Sequence, residues 1–382
     1  MSVSRLCKAL GWAVYLACSW TWCIGMFLPV ILLRDFGRPS WLVFIAPNVV
    51  GAAVMGFVLS DRSASERFVA RHKSACLTFS VVTILFQLYF LLWAGLTMQP
   101  HVAFAVGLAA LLALVYWFSR PQGTRGLVVP SLVFVFSLVA MIVFARALPF
   151  SRAYLCDPAF GAMARQLWII APVFFFGFLF CPYLDLTFHH ASQQMSAGLT
   201  KVSFVLGFGL LFFLMMVFTL LYAPSVITVF FDVSGIQDTR FQLVNRNGLY
   251  LLLLAHFVLQ AGFTMIVHLH RLKAQVKESL SRNGLFVPLA IVAAMLLVIV
   301  GRNWGMGGLS GHELIYRSFM AFYGLFAPCY VWICVVPFKS SGLNRRVDLI
   351  TCIGAICLAL PFFAWPFLGQ RYYALAPGLG IV

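Results

Sequence analysis

Apolar runs of about 20 residues recur along the whole sequence. Each run is long enough to cross the roughly 30 Å hydrocarbon core of a bilayer as a helix. Only 9% of the residues are charged and 63% are hydrophobic, which leaves too little polar surface for a soluble chain. The sequence therefore predicts an all-α polytopic membrane protein with about eleven transmembrane helices, at 11–33, 41–60, 74–98, 101–119, 127–148, 166–190, 202–224, 248–270, 285–300, 314–336 and 349–368.

The local patterns typical of enzymes and metalloproteins are missing from the sequence. Its ten cysteines fall mostly inside the apolar runs and show no CxxC pairing, which argues against a zinc site or a disulfide framework. The motifs GxxxxGK[ST], HExxH and GxSxG do not occur. We therefore expect no cofactor, no metal site and no catalytic residues.

The basic residues predict how the chain is oriented. The net charge is +16, and the densest clusters lie at 62–73, 271–282 and 339–346. If the spans alternate, all three clusters fall on the side that holds the N-terminus, and cytoplasmic loops are the ones enriched in lysine and arginine. We expect a protein of the cell inner (plasma) membrane with its N-terminus in the cytoplasm and its C-terminus outside. Basic loops suit anionic lipid headgroups and require no nucleic-acid partner.

Two segments of the sequence resemble each other and indicate an internal repeat. "CIGMFLPVILLRD" at 23–35 and "FFGFLFCPYLDLT" at 175–187 both place a glycine, a proline and an acid in that order. A weaker match joins "WAGLT" at 93–97 to "QAGFT" at 260–264. The order of these matches predicts that spans 1–5 repeat as spans 6–10. Five is an odd number, so the second copy must enter the membrane from the opposite side.

This organisation predicts three units. Residues 1–148 form the first five-helix repeat, residues 149–336 form the second, inverted repeat, and residues 337–382 add one helix and a C-terminal tail. Glycine and proline inside a span release backbone groups that lipid cannot satisfy, so such a break must be buried in protein or line a cavity. Matching breaks in inverted repeats mark a central solute site. We expect Gly25–Pro29 and Gly177–Pro182 to be non-helical and close together near mid-membrane.

The repeat and the first two spans resemble a known fold. Residues 20–60, "WTWCIGMFLPVILLRDFGRPSWLVFIAPNVVGAAVMGFVLS", resemble the start of a solute:sodium symporter. In that family the first helix is broken near its middle, and the second is rich in small residues, as "PNVVGAAVMG" is here. The resemblance is to the LeuT fold of the amino acid–polyamine–cation superfamily. It implies a secondary transporter that moves a small organic solute by alternating access, coupled to Na⁺ or H⁺. Symporters of that fold commonly use adjacent hydroxyl residues on the eighth span for sodium, whereas this eighth span offers only Thr264.

Asp185 is the acid that we place inside a span. A carboxylate in the membrane is costly and marks a functional site by default. Aspartate also caps helix N-termini, so Asp185 could cap the part of the helix that resumes after Pro182. The two roles are compatible, and the sequence leaves both open.

Other polar residues lie inside spans. His256, Gln260 and Thr264 form a stripe on one helix face, which serves either as interhelical hydrogen-bonding or as solute contact. Glu313 and Arg317 share a face and could form an ion pair or gate, while histidines 189, 190, 268 and 270 suit helix C-termini. The candidate ion ligands are Asp185 and Thr264. The candidate solute-binding residues are Trp22, Gly25, Met26, Gln87, Gly177, Phe178, Cys181, Tyr183, Asp185, His256 and Gln260.

Two other functions fit the same sequence. A transport-inactive relative of the transporters, serving as a sensor or partner subunit, would also have this organisation. An intramembrane enzyme would use Asp185 and histidines near an opening to the lipid. A transporter should bring the two broken helices together in the middle of the membrane.

Overall fold

The computed structural model describes residues 3–98, 126–147, 161–231, 247–275, 285–336 and 345–382. The fourth predicted span, 101–119, lies outside these residues. The first half of the chain contains six described helices: α1 Val3–Trp20, α2 Cys23–Phe36, α3 Pro39–Val58, α4 Arg62–Arg71, α5 Lys73–Met98 and α6 Val128–Ala147.

The second half begins with a 3₁₀ turn at Ala164–Gln166 and a broken helix. That helix consists of α7 Leu167–Phe180, a 3₁₀ turn at Cys181–Leu184 and α8 Leu186–Gln193. The remaining elements are α9 Ala197–Leu206, a π segment Gly207–Phe212, α10 Phe213–Phe230, α11 Asn247–Gln275, α12 Phe286–Asn303, the strands β1 Gly305–Met306 and β2 Leu309–Ser310, α13 Gly311–Ala321, a second π segment Phe322–Phe326, α14 Ala327–Cys334, α15 Arg345–Gly369, a 3₁₀ turn Tyr372–Ala374 and α16 Leu375–Ile381.

The protein is an all-α polytopic membrane protein, as predicted. Within the described residues, eight helical segments are long and apolar enough to cross a membrane, and the bent pair α1–α2 makes a ninth candidate. The tenth predicted span corresponds to α13, its π segment and α14. The strands form one short antiparallel hairpin between α12 and α13. The division into 1–148, 149–336 and 337–382, and the inverted relation of the first two units, stay predictions.

The first broken helix is broken at a different place from the one predicted. Gly25 and Pro29 lie inside the continuous helix α2, and the break is at Thr21–Trp22, where the axes of α1 and α2 differ by 56°. Hydroxyl side chains flank this break, and each donates to a carbonyl of the preceding turn of α1. Ser19 Oγ donates to the Leu16 carbonyl at 3.0 Å, and Thr21 Oγ1 donates to the Ala17 carbonyl at 2.8 Å.

The second broken helix is broken close to the predicted position. α7 includes Gly177 and ends at Phe180, and it is followed by the 3₁₀ turn that contains Pro182. Pro182 has no N–H to continue the helical ladder. Asp185 adopts an extended backbone and α8 begins at the next residue. The prediction was therefore right for Pro182 and wrong for Gly177, which is helical.

Small residues on α3 let it approach its neighbours closely. A Cβ atom at Gly51 would overlap the carbonyl oxygen of Phe178 and lie 2.7 Å from the Cα of Leu179. A Cβ atom at Gly56 would overlap the ring of Phe204. The small-residue segment of the second span therefore holds α3 against α7 and α9, on the outside of the second break.

Candidate solute and ion site

The two breaks lie against each other inside the bundle. The ring of Trp20, which ends α1, is 5.0 Å from the ring of Phe188 in α8. Trp20 Nε1 donates to Asn48 Oδ1 of α3, and Gln87 Oε1 of α5 accepts the first N–H of α2, that of Cys23, at 3.2 Å. One side chain of α3 and one of α5 therefore each pair with one polar group at the first break.

Tyr323, which sequence analysis missed, connects the two breaks. Its ring makes an edge contact with Trp22 at 4.8 Å between centroids, and its hydroxyl lies 3.1 Å from Thr83 Oγ1. Its carbonyl accepts a hydrogen bond from Cys181 Sγ at 3.3 Å, and a Cβ atom at Gly177 would lie 3.0 Å from the same oxygen. Tyr323 belongs to a π segment, a local widening that often marks functional sites. The sequence carries no strong signal for such a segment.

Several buried polar atoms at this centre have no hydrogen-bond partner among the described residues. The donors are Trp22 Nε1, Gln87 Nε2 and Asn48 Nδ2, and the acceptors are Asp185 Oδ2 and Gln260 Oε1. An unpaired buried polar group costs free energy, so most proteins leave few of them. Three of these five atoms surround the first break. Such atoms are suited to hydrogen-bond a molecule that enters the space.

Asp185 caps α8, which was one of its two predicted roles. Its Oδ1 accepts hydrogen bonds from the backbone N–H of Thr187 at 2.7 Å and from Thr187 Oγ1 at 2.6 Å. The residue is completely buried. Its Oδ2 is 3.7 Å from His268 Nε2 of α11. The functional role therefore depends on Oδ2, because Oδ1 is already occupied.

The polar stripe on α11 is longer than predicted, and its residues contact several other helices. His256 Nδ1 and Gln260 Nε2 both contact Ser137 Oγ of α6, at 3.0 and 2.9 Å. Thr264 Oγ1 contacts α1, and His268, one turn further along, faces Asp185. His268 was predicted to serve only a helix C-terminus, but it is 1% exposed and lies within the bundle.

Thr264 lies at the end of α1, where the break leaves carbonyl groups available. Its Oγ1 is 3.1 Å from the Cys18 carbonyl, 3.4 Å from the Ser19 carbonyl and 3.1 Å from the carbonyl of Gln260 in its own helix. These four oxygen atoms come from two helices that meet at the first break. Within the described residues, no group of three His, Cys, Asp or Glu side chains is arranged to hold a metal ion.

The space between α2 and α7 is nearly filled. A cavity of about 20 Å³ lies there, and its walls include Ile24, Gly177, Phe178 and Tyr323. This cavity is therefore far too small for an organic solute.

Charged residues close the end of the bundle at which α2 ends and α13 begins. Arg317 contacts Asp35 at 2.5 Å and Glu313 at 2.7 Å, and Arg34 contacts Glu313 at 2.6 Å and Asp35 at 2.7 Å. Tyr372, beyond α15, accepts a hydrogen bond from Arg317 at 2.6 Å. Glu313 and Arg317 thus form the predicted ion pair as part of a network of four charges.

The opposite end of the bundle is closed by polar contacts of α4. Ser65 Oγ lies 2.9 Å from His189 Nδ1 and accepts a hydrogen bond from Gln193 Nε2 at 3.1 Å. The His189 ring stacks on Phe68 at 5.0 Å. His189 therefore joins α8 to α4, whereas the sequence had suggested only a contact with its own helix end.

Four predicted solute-binding residues do not line the space between the breaks. Gly25 faces Phe212 and Met216 next to α10, and the Met26 carbonyl accepts a hydrogen bond from Tyr222. Tyr183 and His256 lie elsewhere: Tyr183 lines a lateral cavity between α3 and α14, and His256 packs against Phe218 of α10. The residues that do come together there are Trp22, Gln87, Gly177, Phe178 and Cys181, with Asp185 at the second break.

Comparison with known proteins identifies the fold. No protein-family model matches the chain, and no curated protein matches it by sequence. Among solved structures, the chain is similar to a substrate-bound, outward-open Na⁺-coupled sialic acid symporter, with 15% identity, a TM-score of 0.58, and coverage of 97% of this chain and 89% of that one. It is also similar to a manganese transporter of Eremococcus coleocola, with 13% identity, a TM-score of 0.54, and coverage of 100% and 93%. The chain therefore has the LeuT-like fold of secondary transporters.

Proposed function

We propose that this protein is a secondary active transporter that moves a small organic solute across the membrane by alternating access. The observation that carries the proposal is the meeting of two broken helices around buried, unpaired polar atoms. Broken helices at the centre of a membrane protein bind solutes because their ends present free backbone groups away from lipid. The likeness to two solved transporters supports the proposal at the level of fold.

The closed centre fits one step of an alternating-access cycle. The charge network between α2 and α13 closes one end, and the contacts of Ser65 with α8 close the other. In this proposal each end opens when one half of a broken helix moves and breaks the contacts there, and the two non-helical residues between α1 and α2 act as the joint of the first broken helix. In this proposal the α4 end faces the cytoplasm, since the basic cluster 62–73 lies there.

The chemistry of the centre indicates what kind of solute fits. Trp22, Tyr323 and Phe178 provide aromatic walls, and the unpaired donors Trp22 Nε1 and Gln87 Nε2 suit acceptor atoms. We therefore expect a solute with an apolar body and at least one hydrogen-bond acceptor. Its coupling ion would be bound by Asp185 or Thr264.

The proposal is tested with a panel of small organic solutes on the purified protein. A solute that binds at the centre should raise the melting temperature, since binding to the folded state stabilises it. The same solute should then accumulate in vesicles that contain the protein. Trp22→Phe should keep the fold and remove most of this stabilisation, because it deletes the unpaired N–H and keeps an aromatic ring.

Trp168→Phe is the matched control, because Trp168 is 67% exposed on the outer surface of α7. It should leave the stabilisation by the solute unchanged. A solute that stabilises the wild type through Trp22 but never enters vesicles would point to the alternative function of a transport-inactive sensor. Equal effects of the two tryptophan substitutions would mean that the solute binds somewhere else.

A further inference from the structure

The only ion-pair partner of Asp185 within the described residues is a histidine. His268 Nε2 lies 3.7 Å from Asp185 Oδ2, and its other ring nitrogen, Nδ1, lies 3.1 Å from Ser80 Oγ of α5. Both side chains are about 1% exposed. Because the carboxylate oxygen facing His268 has no hydrogen-bond partner, the pair can accept one proton without breaking an existing bond.

Resting on the proposed transport function, we infer that the coupling ion is a proton, bound by Asp185 and His268. In the ionised form, Asp185 carries one negative charge and His268 is neutral. One proton from water adds to Asp185 Oδ2, the oxygen that faces His268, and makes the pair neutral overall. Release of that proton to water restores the negative charge. No other reactant is needed.

The surroundings of Oδ2 favour a proton over a metal cation. Hard cations prefer a shell of several oxygen ligands. The group that faces Oδ2 is an imidazole nitrogen, and Oδ1 is held by two donors from Thr187. The oxygen atoms around Thr264 are a separate group, one helical turn away along α11.

The proton would control the second break directly. As a carboxylate, Asp185 makes charge-assisted hydrogen bonds to the start of α8 and favours the positive end of that helix. A protonated carboxyl group is a weaker acceptor, so protonation loosens α8 from the break. A neutral pair also costs less to move through a low-dielectric interior than a charged one. Proton binding and helix movement are therefore linked through one side chain.

Several titratable groups of neighbouring elements surround the pair. Tyr15 of α1, Cys76 of α5, Cys181 before α8 and Tyr323 of the π segment all interact electrostatically with Asp185. Two further groups lie close by: Arg271 follows His268 by three residues on α11, and its guanidinium lies 2.8 Å from His190 Nδ1 of α8.

A cavity of about 360 Å³ opens between α5, α14 and α15 near the α4 end, with Arg71, His72 and Asp348 among its walls. Its walls also include Leu184, the residue before Asp185. The volume is large enough for several water molecules. In this proposal the proton reaches the buried pair from this cavity, past Leu184.

The test is an infrared titration of the purified protein in lipid, because a protonated carboxyl group absorbs at a different frequency from a carboxylate. In the wild type, one carboxyl band that appears as the pH falls should be absent from the same titration of Asp185→Asn, so the difference between the two spectra separates Asp185 from the other acids. His268→Gln should keep the band and change its midpoint, because the side chain that faces Oδ2 has changed. Glu66→Gln, an exposed residue of α4, should leave band and midpoint unchanged.

The same titration separates proton binding from sodium binding. Replacing choline chloride by sodium chloride at fixed pH should leave the band unaltered. Loss of the band on adding Na⁺, or persistence of every wild-type band in Asp185→Asn, would overturn the inference. If Asp185→Asn does not fold, an unshifted midpoint in His268→Gln would overturn it instead. The titration uses no solute, so its failure is distinct from failure of the solute panel that tests transport.

Discussion

At the residue scale, Asp185 shows how one side chain can have a structural and a functional contact at once. Oδ1 caps α8 through Thr187, and Oδ2 faces His268. The sequence predicted the cap, because aspartate after a proline is typical of a helix start. It did not predict His268, because the partner lies 83 residues further along the chain on another helix.

A glycine of α3 provides a prediction at this scale. We expect Gly51→Leu to destabilise the protein by an amount toward the upper end of the range of roughly 1–3 kcal/mol that overpacking usually costs. The reason is that the new side chain meets the backbone of α7. Gly354→Leu is the control, since a Cβ atom there has nothing within 4 Å. Thermal unfolding of both variants in the same detergent measures the difference. Similar melting temperatures would contradict the close packing of α3 on α7.

At the element scale, the two broken helices differ in the residues found at the break. The second break contains Pro182, which has no N–H for the helical ladder. At the first break, which contains no proline, the hydroxyl groups of Ser19, Thr21 and Thr264 donate to carbonyls of α1. Serine and threonine occur in many continuous membrane helices. The prolines at 29 and 47 lie within continuous helices, so proline alone did not mark the breaks.

The hydrogen bonds of Thr264 give a prediction for this element. Thr264→Val keeps the shape of the side chain and removes the hydrogen bonds to the end of α1, so we expect a loss of about 1 kcal/mol. Thr351→Val should cost much less, because the Thr351 hydroxyl contacts only its own helix on an exposed face. Free energies of unfolding in mixed micelles give the comparison. Equal losses would mean that α11 does not stabilise the first break.

At the scale of the whole molecule, the additional C-terminal segment belongs to the bundle and closes one end of it. Tyr372 accepts a hydrogen bond from Arg317, and its ring lies 5.0 Å from Phe36 at the end of α2. Its backbone N–H donates to Gln166 Oε1 at 3.1 Å. The segment beyond α15 therefore contacts both broken helices near the charge network.

Topology provides the prediction at this scale. A reporter fused after Ser340, which lies outside the described residues, should report the cytoplasm, and one fused after Val382 should report the outside. The reason is the cluster of basic residues at 339–346 followed by one more span. Reporter activity and protease protection in whole cells provide the measurement. Both fusions on one side would contradict eleven spans.

The sequence by itself determined the class of the protein and the position of most spans. Lipid cannot satisfy backbone hydrogen bonds, so long apolar runs must become helices wherever they occur. The same rule made Pro182 and Asp185 candidate residues for a break in the sixth span. These conclusions depend only on local composition, which a single sequence contains in full.

Only the tertiary structure decided where the first helix breaks and which residues form the site. Gly25 and Met26 were predicted from their neighbours in sequence, but the 56° bend turns them toward α10 and its surroundings. Tyr323 and His268 reach the breaks from distant helices, and no local pattern sets them apart from other aromatic and histidine residues. The physical reason is that a site between helices depends on their rotation and crossing, which packing of the whole bundle sets.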